Sequence, residues 1–206
     1  GRIYYGVKTG LNEAFIIDRP TRDRLVAADP GCNAILRRHL RGEDLRPWYQ
    51  QDEGRFLIVM PSGFTRQAMA AADGAGGSPS GSADSRGVGG TAGAAVVAPR
   101  IGGPSREAAW EWLRSTHTAI ADHLAPFAEA AERRTDKGEF WWELRSCAYY
   151  AAFDEPKILW PDIAKLPRFS WDAEGAYVNN KIYTIVGCRP DLLAILQSRV
   201  SWFATS

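Results

Sequence analysis

Cysteine is scarce in this sequence, and its distribution excludes two common frameworks of small domains. The 206 residues include three cysteines, Cys32, Cys147 and Cys188, and no two of them are closely spaced. Disulfide frameworks and structural zinc sites are both recognised by cysteines at short, regular spacings. We therefore predict neither a disulfide scaffold nor a metal site, and a reducing, cytoplasmic location is the default expectation.

Long apolar runs and an excess of charge of one sign are missing as well. No stretch approaches the ~20 consecutive apolar residues that a membrane-spanning helix needs, so we expect no membrane partner. The 25 basic and 24 acidic residues nearly cancel, leaving a formal net charge of +1. This balance argues against a protein that coats nucleic acid through bulk attraction, although it permits a localised basic face.

Local catalytic signatures are also absent. The three histidines, His39, His117 and His123, do not stand at metal-ligand spacings, and no Gly-x-Ser-x-Gly elbow or P-loop occurs. Residues that are distant in sequence can still converge in a fold, so these absences concern local motifs. The residues alone identify no nucleophile, no acid–base pair and no metal site.

The apolar and glycine residues define the organisation of the chain. Apolar residues make up 45% of it, which is enough for a packed core, and half of the 20 glycines fall between Asp73 and Gly103. A glycine-rich segment of this composition cannot bury enough surface to offset the entropy lost on ordering. We predict an N-terminal half over residues 1–72, a flexible insertion over residues 73–103 and a C-terminal half over residues 104–206.

The spacing of apolar and turn-forming residues predicts an α+β fold with short, mainly antiparallel strands and several helices. Strands are expected at residues 2–5, 14–17, 55–60, 140–144, 157–160, 169–171 and 182–186. Helices are expected at residues 22–28, 33–40 and 191–203. After the insertion, apolar residues recur every three or four positions from Ala109 to Phe127, which predicts one long helix that Pro126 kinks or ends.

The segment from Gly6 to Phe15 is the first candidate for a binding function. Its two glycines, four positions apart, enclose Lys8 and Thr9, and Asn12 follows. An ammonium, a hydroxyl and an amide are the groups that contact a phosphate or a base edge. An ordinary hairpin loop, in which Thr9 and Asn12 satisfy the local backbone, is the competing interpretation.

The second candidate is a run of aromatic and basic residues. Phe140, Trp141 and Trp142 precede Arg145, and further aromatic residues surround Lys157. Aromatic platforms beside cations hold unpaired bases, whereas packing of the core is the competing interpretation. In a strand, Trp141 and Trp142 would point to opposite faces, so that one can be buried and the other exposed.

The opening of the chain reads GVKTGLNEAFIID and is followed by LVAADPGCNAILRRHLRGEDLRPW, and later segments read KGEFWWELR and LLAILQSRV. Taken in order, these motifs resemble the TaqI-like C-terminal specificity domain. In that family the domain is the target recognition domain of adenine-N6 DNA methyltransferases and of fused type II restriction-modification enzymes. Gln197 stands where the family usually has Asn, and the chain has neither an Asn-Pro-Pro-Tyr motif nor a glycine-rich turn for S-adenosylmethionine.

The resemblance implies a DNA-recognition module without catalytic residues or a cofactor of its own. Its expected partners are double-stranded DNA and a covalently linked methyltransferase domain that binds S-adenosylmethionine, with or without an endonuclease. The residues expected to contact DNA are Lys8, Thr9, Asn12, Arg46, Trp48, Arg145, Lys157, Asn179 and Lys181. A protein-interaction domain within a larger defence or modification complex is the alternative.

Overall fold

Eight short strands form two sheets in the part of the chain that the computed structural model describes, residues 1–75 and 103–198. They are β1 (Arg2–Tyr5), β2 (Ile16–Asp18), β3 (Leu36–Leu40), β4 (Arg55–Ile58), β5 (Lys157–Pro161), β6 (Ser170–Asp172), β7 (Tyr177–Val178) and β8 (Ile182–Val186). The first sheet has the order β1-β8-β5-β6 and is antiparallel throughout. The second has the order β2-β4-β3-β7, in which only β3 and β7 are parallel.

Helices of four to twelve residues accompany these strands. They are α1 (Asn12–Phe15), α2 (Arg19–Ala28), α3 (Phe64–Ala75), α4 (Arg106–Thr116), α5 (Thr118–Leu124), α6 (Ala128–Arg133) and α7 (Asp191–Leu196). Among the described residues, four 3-10 turns occur at Pro30–Ile35, Gly42–Asp44, Ala125–Phe127 and Tyr150–Phe153. The predicted α+β class and mainly antiparallel pairing are confirmed. No helix in the described ranges is long and apolar enough to cross a membrane.

Strands from the two sides of the glycine-rich segment meet in both sheets. In the first sheet β1 pairs with β8, and in the second β3 pairs with β7. The regions that precede and follow the segment are therefore interleaved in one structure. Helix α3 continues to Ala75, beyond the predicted start of the insertion, and residues 76–102 of that insertion lie outside the described residues.

Several predicted elements occur close to their expected bounds. Strands β1, β4, β5, β6 and β8 match five of the predicted strands to within about two residues, and α2 contains the predicted helix at 22–28. The cap of α2 is Asp18, whose Oδ1 accepts a hydrogen bond from Thr21 N–H at 2.9 Å. Helix α7 covers the start of the predicted helix at 191–203, of which residues 199–203 lie outside the described part of the chain.

The prediction of a helix at residues 33–40 is wrong. Strand β3 occupies this segment from Leu36 onward and lies between β4 and β7 in the second sheet. Its buried Leu36 and Leu40 belong to the core, so pairing on both sides outweighs the local helical pattern. The predicted strand at 14–17 is displaced, because α1 occupies its first half and β2 begins at Ile16.

The prediction of one long helix after the insertion is also wrong. The helical segment is interrupted at His117, whose backbone angles of φ −133° and ψ 57° are not helical. Helix α4 ends just before this residue and α5 begins just after it. Pro126 lies in the 3-10 turn that leads into α6, so the predicted interruption at the proline is confirmed. It is the second interruption of this segment, after the one at His117.

Residues 140–144, here called the aromatic block, form turns instead of the predicted strand. All five are buried, including both Trp141 and Trp142, so the expected alternation of faces is wrong and the core-packing interpretation is correct. The Trp142 ring stacks on Phe140 with centroids 4.7 Å apart. Its Nε1 donates to the hydroxyl of Thr65 at 2.9 Å. Aromatic residues in succession here fill the interior.

The carboxylate of Glu143 organises the aromatic block from within. It is completely buried and accepts hydrogen bonds from the backbone N–H groups of Gly63, Thr65, Glu139 and Phe140 at 2.9–3.3 Å. A buried carboxylate is tolerated when its oxygens are fully hydrogen-bonded. Glu143 therefore joins the start of α3 to the aromatic block.

Replacing Glu143 should therefore destabilise the protein strongly. We expect Glu143→Ala to lower the free energy of unfolding by at least about 3 kcal/mol, because buried N–H donors lose their acceptor. Glu143→Gln keeps one acceptor oxygen and should lower the free energy of unfolding by a smaller amount. The control is Glu129→Ala, which removes an exposed pair with Arg133 and should change stability by less than about 1 kcal/mol. Equal urea midpoints for the two alanine variants would contradict this role.

Candidate nucleic-acid interface

A polar cleft of about 240 Å³ opens where the loop after β1, the end of β3 and the turn between β7 and β8 meet. Four residues that were predicted to contact DNA line it, namely Lys8, Thr9, Asn12 and Asn179. Arg41, which no sequence motif singled out, lines it as well. Three separate segments of the chain therefore converge on this central cleft.

Two glycines shape the loop that carries Lys8 and Thr9. A Cβ at Gly6 would lie 1.9 Å from the carbonyl oxygen of Asn179, so the close approach of the loop to the β7–β8 turn requires glycine there. Gly10 has φ +69°, in the left-handed region that glycine adopts without strain. The glycine spacing noted in the sequence thus sets the position and the bend of the loop.

A buried arginine supports the loop from the interior side. The Arg134 guanidinium donates to the backbone carbonyl of Thr9 and to those of Trp141 and Glu143, with 2.8 Å to Trp141 O. It also lies 4.2 Å from the centre of the Phe15 ring. Burial lowers the pKa of Arg134 to about 10, which leaves it protonated at neutral pH. This cation joins the loop to the aromatic block.

Thr9 serves the loop itself. It is almost completely buried, and its Oγ1 donates to Asn12 Oδ1 at 2.6 Å and accepts from Leu11 N–H at 3.3 Å. This is the local role that the ordinary-loop interpretation gave to Thr9. Asn12 is exposed, and its amide nitrogen has no hydrogen-bond partner in the described part of the chain. The hydroxyl of Thr9 therefore holds the Asn12 amide through its oxygen, and the amide nitrogen is available to donate to a ligand.

Asp136 holds two of the predicted cations together. Lys8 Nζ lies 3.0 Å from one carboxylate oxygen, and a guanidinium nitrogen of Arg145 lies 3.4 Å from the other. Both cationic side chains remain 54% exposed. The hydrogen bond and charge of Lys8, with a smaller contribution from Arg145, hold the pKa of Asp136 below its usual range. The cluster keeps a net positive charge that solvent and ligands can reach.

A larger cleft of about 480 Å³, here called the aromatic cleft, lies on the other side of the loop. Lys8 and Asn180 line both clefts, so the two concavities are neighbours. Arg145 and Tyr149 contribute to the wall of the aromatic cleft, and Tyr5 contributes a ring that is more than half exposed. This arrangement places accessible aromatic surface beside a cation.

A third concavity, the outer cleft, has a volume of about 290 Å³. The predicted residue Lys181 lines it together with Arg168, and the acids Glu43 and Asp162 face the same space. Its wall includes Gly42 and Lys181, the direct neighbours of residues that line the central cleft. Cations of this surface are therefore interspersed with carboxylates and do not form a uniform basic patch.

Lys157 lies elsewhere. Its side chain is fully buried, and Nζ donates to Asp172 Oδ2 at 2.6 Å and to the backbone carbonyls of Phe153 and Glu155. Burial lowers the pKa of Lys157, which the carboxylate of Asp172 opposes. The ammonium is inaccessible to a phosphate in this structure, so we leave Lys157 out of the candidate interface.

Arg46 and Trp48 lie beside the outer cleft without lining it. Arg46 donates to Gln51 Oε1 at 2.8 Å and to the carbonyl of Glu43, so its guanidinium is largely occupied. Trp48 has φ +79°, which is rare for a bulky residue, and its N–H donates to Phe169 O at 2.9 Å. Its side chain is exposed. The backbone thus presents an indole ring to solvent at a strained position.

His39 is a cleft residue that sequence reasoning missed together with Arg41. It lines the central cleft, is almost completely buried, and neither ring nitrogen has a hydrogen-bond partner within the described ranges. Burial, reinforced by the charges of Arg41 and Arg55, lowers the pKa of His39 to about 4, so its ring is neutral at neutral pH. Both residues fall in or beside the segment that was predicted as a helix, and no local signal pointed to them.

Comparison with known proteins identifies no family for this chain. No family model and no curated protein matches the chain. Among solved structures it is similar to the type IIL restriction-modification enzyme MmeI in complex with DNA, with 11% identity and a TM-score of 0.46. The match covers 95% of this chain, which spans 20% of the MmeI chain. Similarity at this level bears on neither chemistry nor partners, and the TaqI-like assignment stays a prediction.

The buried ring of His39 predicts a pH dependence of stability. In the unfolded chain the ring takes up a proton near pH 6.5, whereas in the folded protein it stays neutral until about pH 4. Stability should therefore fall as the pH decreases through this window. Between pH 7 and pH 4, the free energy of unfolding measured in urea should decrease in both proteins. In His39→Gln the decrease should be smaller than in the unsubstituted protein by up to about 3 kcal/mol. Parallel stability profiles would contradict this assignment.

Proposed function

We propose that this chain is a double-stranded DNA recognition module that reads a target sequence for a restriction-modification enzyme. The observation that supports this most directly is the central cleft, where one glycine-bounded loop presents Lys8 and Asn12 beside Arg41 and Asn179. A cation and several amides on a rigid support match the two kinds of contact that specific binding needs, namely contacts to phosphates and to base edges. The order of sequence motifs that resemble the TaqI-like specificity domain points to the same function.

Phosphate contacts are assigned to the exposed cations on either side of the loop. Lys8 and Arg145 are each more than half exposed and lie together through Asp136. A phosphate that binds these cations competes with the carboxylate of Asp136, with which both already pair. Asp136 thereby lowers the affinity for every duplex, whatever its sequence. Tight binding then requires base contacts in addition to phosphate contacts.

Base contacts are assigned to the amides that line the central cleft. An Asn side chain pairs in a bidentate manner with N6 and N7 of adenine, and an Arg side chain pairs similarly with O6 and N7 of guanine. Asn12, Asn179 and Asn180 supply such amides, and Arg41 supplies the guanidinium. Different members of such a family read different sequences, so the recognised site is not transferred by resemblance.

The partner we propose is a covalently linked adenine-N6 methyltransferase domain that holds S-adenosylmethionine. A methyltransferase extrudes its target adenine from the duplex and needs a second surface to hold the flanking DNA. The clefts described above supply that surface, while the transfer of the methyl group to adenine N6 takes place in the linked domain. Such a division accounts for a chain that carries polar clefts but no recognisable catalytic motif.

One observation favours a protein-interaction domain as the second candidate. Ile163 and Leu166 are 85% and 67% exposed on the segment between β5 and β6, beside the outer cleft. Exposed apolar side chains close together are a feature of protein–protein interfaces. Salt separates the two candidates, because affinity for DNA falls steeply as salt rises, whereas affinity at an apolar protein interface changes little.

Two substitutions test the cation cluster in opposite directions. Against a fluorescent duplex of mixed sequence, Lys8→Ala should weaken binding and reduce the slope of log K against log salt by about one. Asp136→Asn removes the competing carboxylate and should strengthen binding by about 2–5-fold, the scale of a partly exposed ion pair. Fluorescence anisotropy over a series of KCl concentrations measures both effects.

The matched control is Arg114→Ala, which removes one exposed cation from α4 that lines none of the three clefts. If Arg114→Ala and Lys8→Ala weaken binding equally, the cation cluster is not the phosphate site. Binding of DNA that does not respond to salt would contradict the assignment of phosphate contacts as a whole. Thermal melts of each variant establish that the fold is intact.

A further inference from the structure

A carboxylate, a thiol and an imidazole converge on the side of the molecule where α2 ends. The ligand atoms of Asp29, Cys32 and His117 all lie within 4.8 Å of one another. Cys32 Sγ lies 3.0 Å from Asp29 Oδ2. The histidine is far from the other two in sequence, which explains why residue spacing revealed no such group.

Each of the three side chains is held in place by the local fold. Asp29 caps the 3-10 turn Pro30–Ile35 by accepting a hydrogen bond from Gly31 N–H with Oδ1, which leaves Oδ2 directed at the sulfur. Cys32 is fully buried within that turn. His117 is the residue that separates α4 from α5, so the break in the predicted long helix places its ring at this point.

The imidazole carries the strongest indication that a ligand belongs here. The Nδ1 atom of His117 is buried and has no hydrogen-bond partner in residues 1–75 and 103–198. Leaving a buried ring nitrogen unpaired costs free energy, and the neighbouring thiol is already engaged with Asp29. A cation between the three groups would satisfy the nitrogen, the sulfur and the carboxylate oxygen together.

The donor set selects the class of cation. Thiolate and imidazole ligands suit zinc and similar transition metals, whereas magnesium and calcium bind through oxygen. With metal–ligand distances of about 2.0–2.3 Å, ligand atoms around a tetrahedral zinc ion are roughly 3.3–3.8 Å apart. Atoms within 4.8 Å of one another can reach such positions through small side-chain rotations.

We propose that Asp29, Cys32 and His117 form a zinc-type transition-metal site. When the metal–sulfur bond forms, the thiol releases its proton to solvent, and the fourth position is taken by water. Asp29 and Cys32 precede the glycine-rich segment and His117 follows it, so the ion cross-links the two regions of the chain. The site does not involve the three clefts and is independent of the proposed DNA-recognition function.

Cobalt serves as a spectroscopic probe of the proposed site. Titration of the metal-free full chain with Co²⁺ should reach saturation at one ion per chain and produce a thiolate-to-cobalt charge-transfer absorption. Cys32→Ala should abolish this absorption, and Cys147→Ala, which removes a cysteine outside the cluster, should keep it. Added Zn²⁺ should displace the cobalt. No charge-transfer absorption, or a band that survives in Cys32→Ala, would overturn the proposal.

A second variant keeps the test decisive if Cys32→Ala does not fold. His117→Gln changes a partly exposed residue and should weaken zinc affinity by more than the roughly 10–100-fold that loss of an outer-shell partner costs. Zinc should raise the melting temperature of the unsubstituted chain and of the control His123→Gln, but not that of His117→Gln. Equal shifts in all three proteins would show that zinc binds elsewhere.

Discussion

The hydrogen bonds between the Arg134 guanidinium and backbone carbonyls link the core to the loop that lines the central cleft. They connect the loop of Thr9 with the carbonyls of Trp141 and Glu143. The Glu143 carboxylate then continues the connection to the N–H groups at the start of α3. Hydrogen bonds stabilise a buried charge, so the contacts of Arg134 with these three carbonyls hold the loop in place relative to the aromatic block.

Local patterns predicted the elements whose packing agrees with their own sequence. The alternating β8 and the apolar β4 were found because each is bounded by turn residues and pairs where its pattern requires. Residues 33–40 and the aromatic block were mispredicted because partners that are distant in sequence decide their structure. In the first case these are β4 and β7, and in the second they are the N–H groups of Gly63 and Thr65, which donate to Glu143 from about 80 residues away.

The candidate site shows the same division between local and distant information. The loop from Gly6 to Asn12 could be identified from its glycines and polar residues, and the structure brings it together with Asn179. Arg41 and His39 could not be identified, because their place beside the loop depends on β3 being a strand. Asp29, Cys32 and His117 are likewise assembled by the break between α4 and α5, which no local pattern predicted.

The near-neutral charge of the chain is consistent with the proposed recognition through base contacts, because Asp136 pairs with Lys8 and Arg145, and Glu43 and Asp162 line the outer cleft beside its cations. The most direct measurement is selection of bound duplexes from a random-sequence library by the full chain at physiological salt, followed by sequencing. DNA recognition by the central cleft predicts one enriched motif that Asn12→Ala and Arg41→Ala alter at particular positions. An unbiased library after repeated selection, or a motif unchanged in both variants, would contradict it.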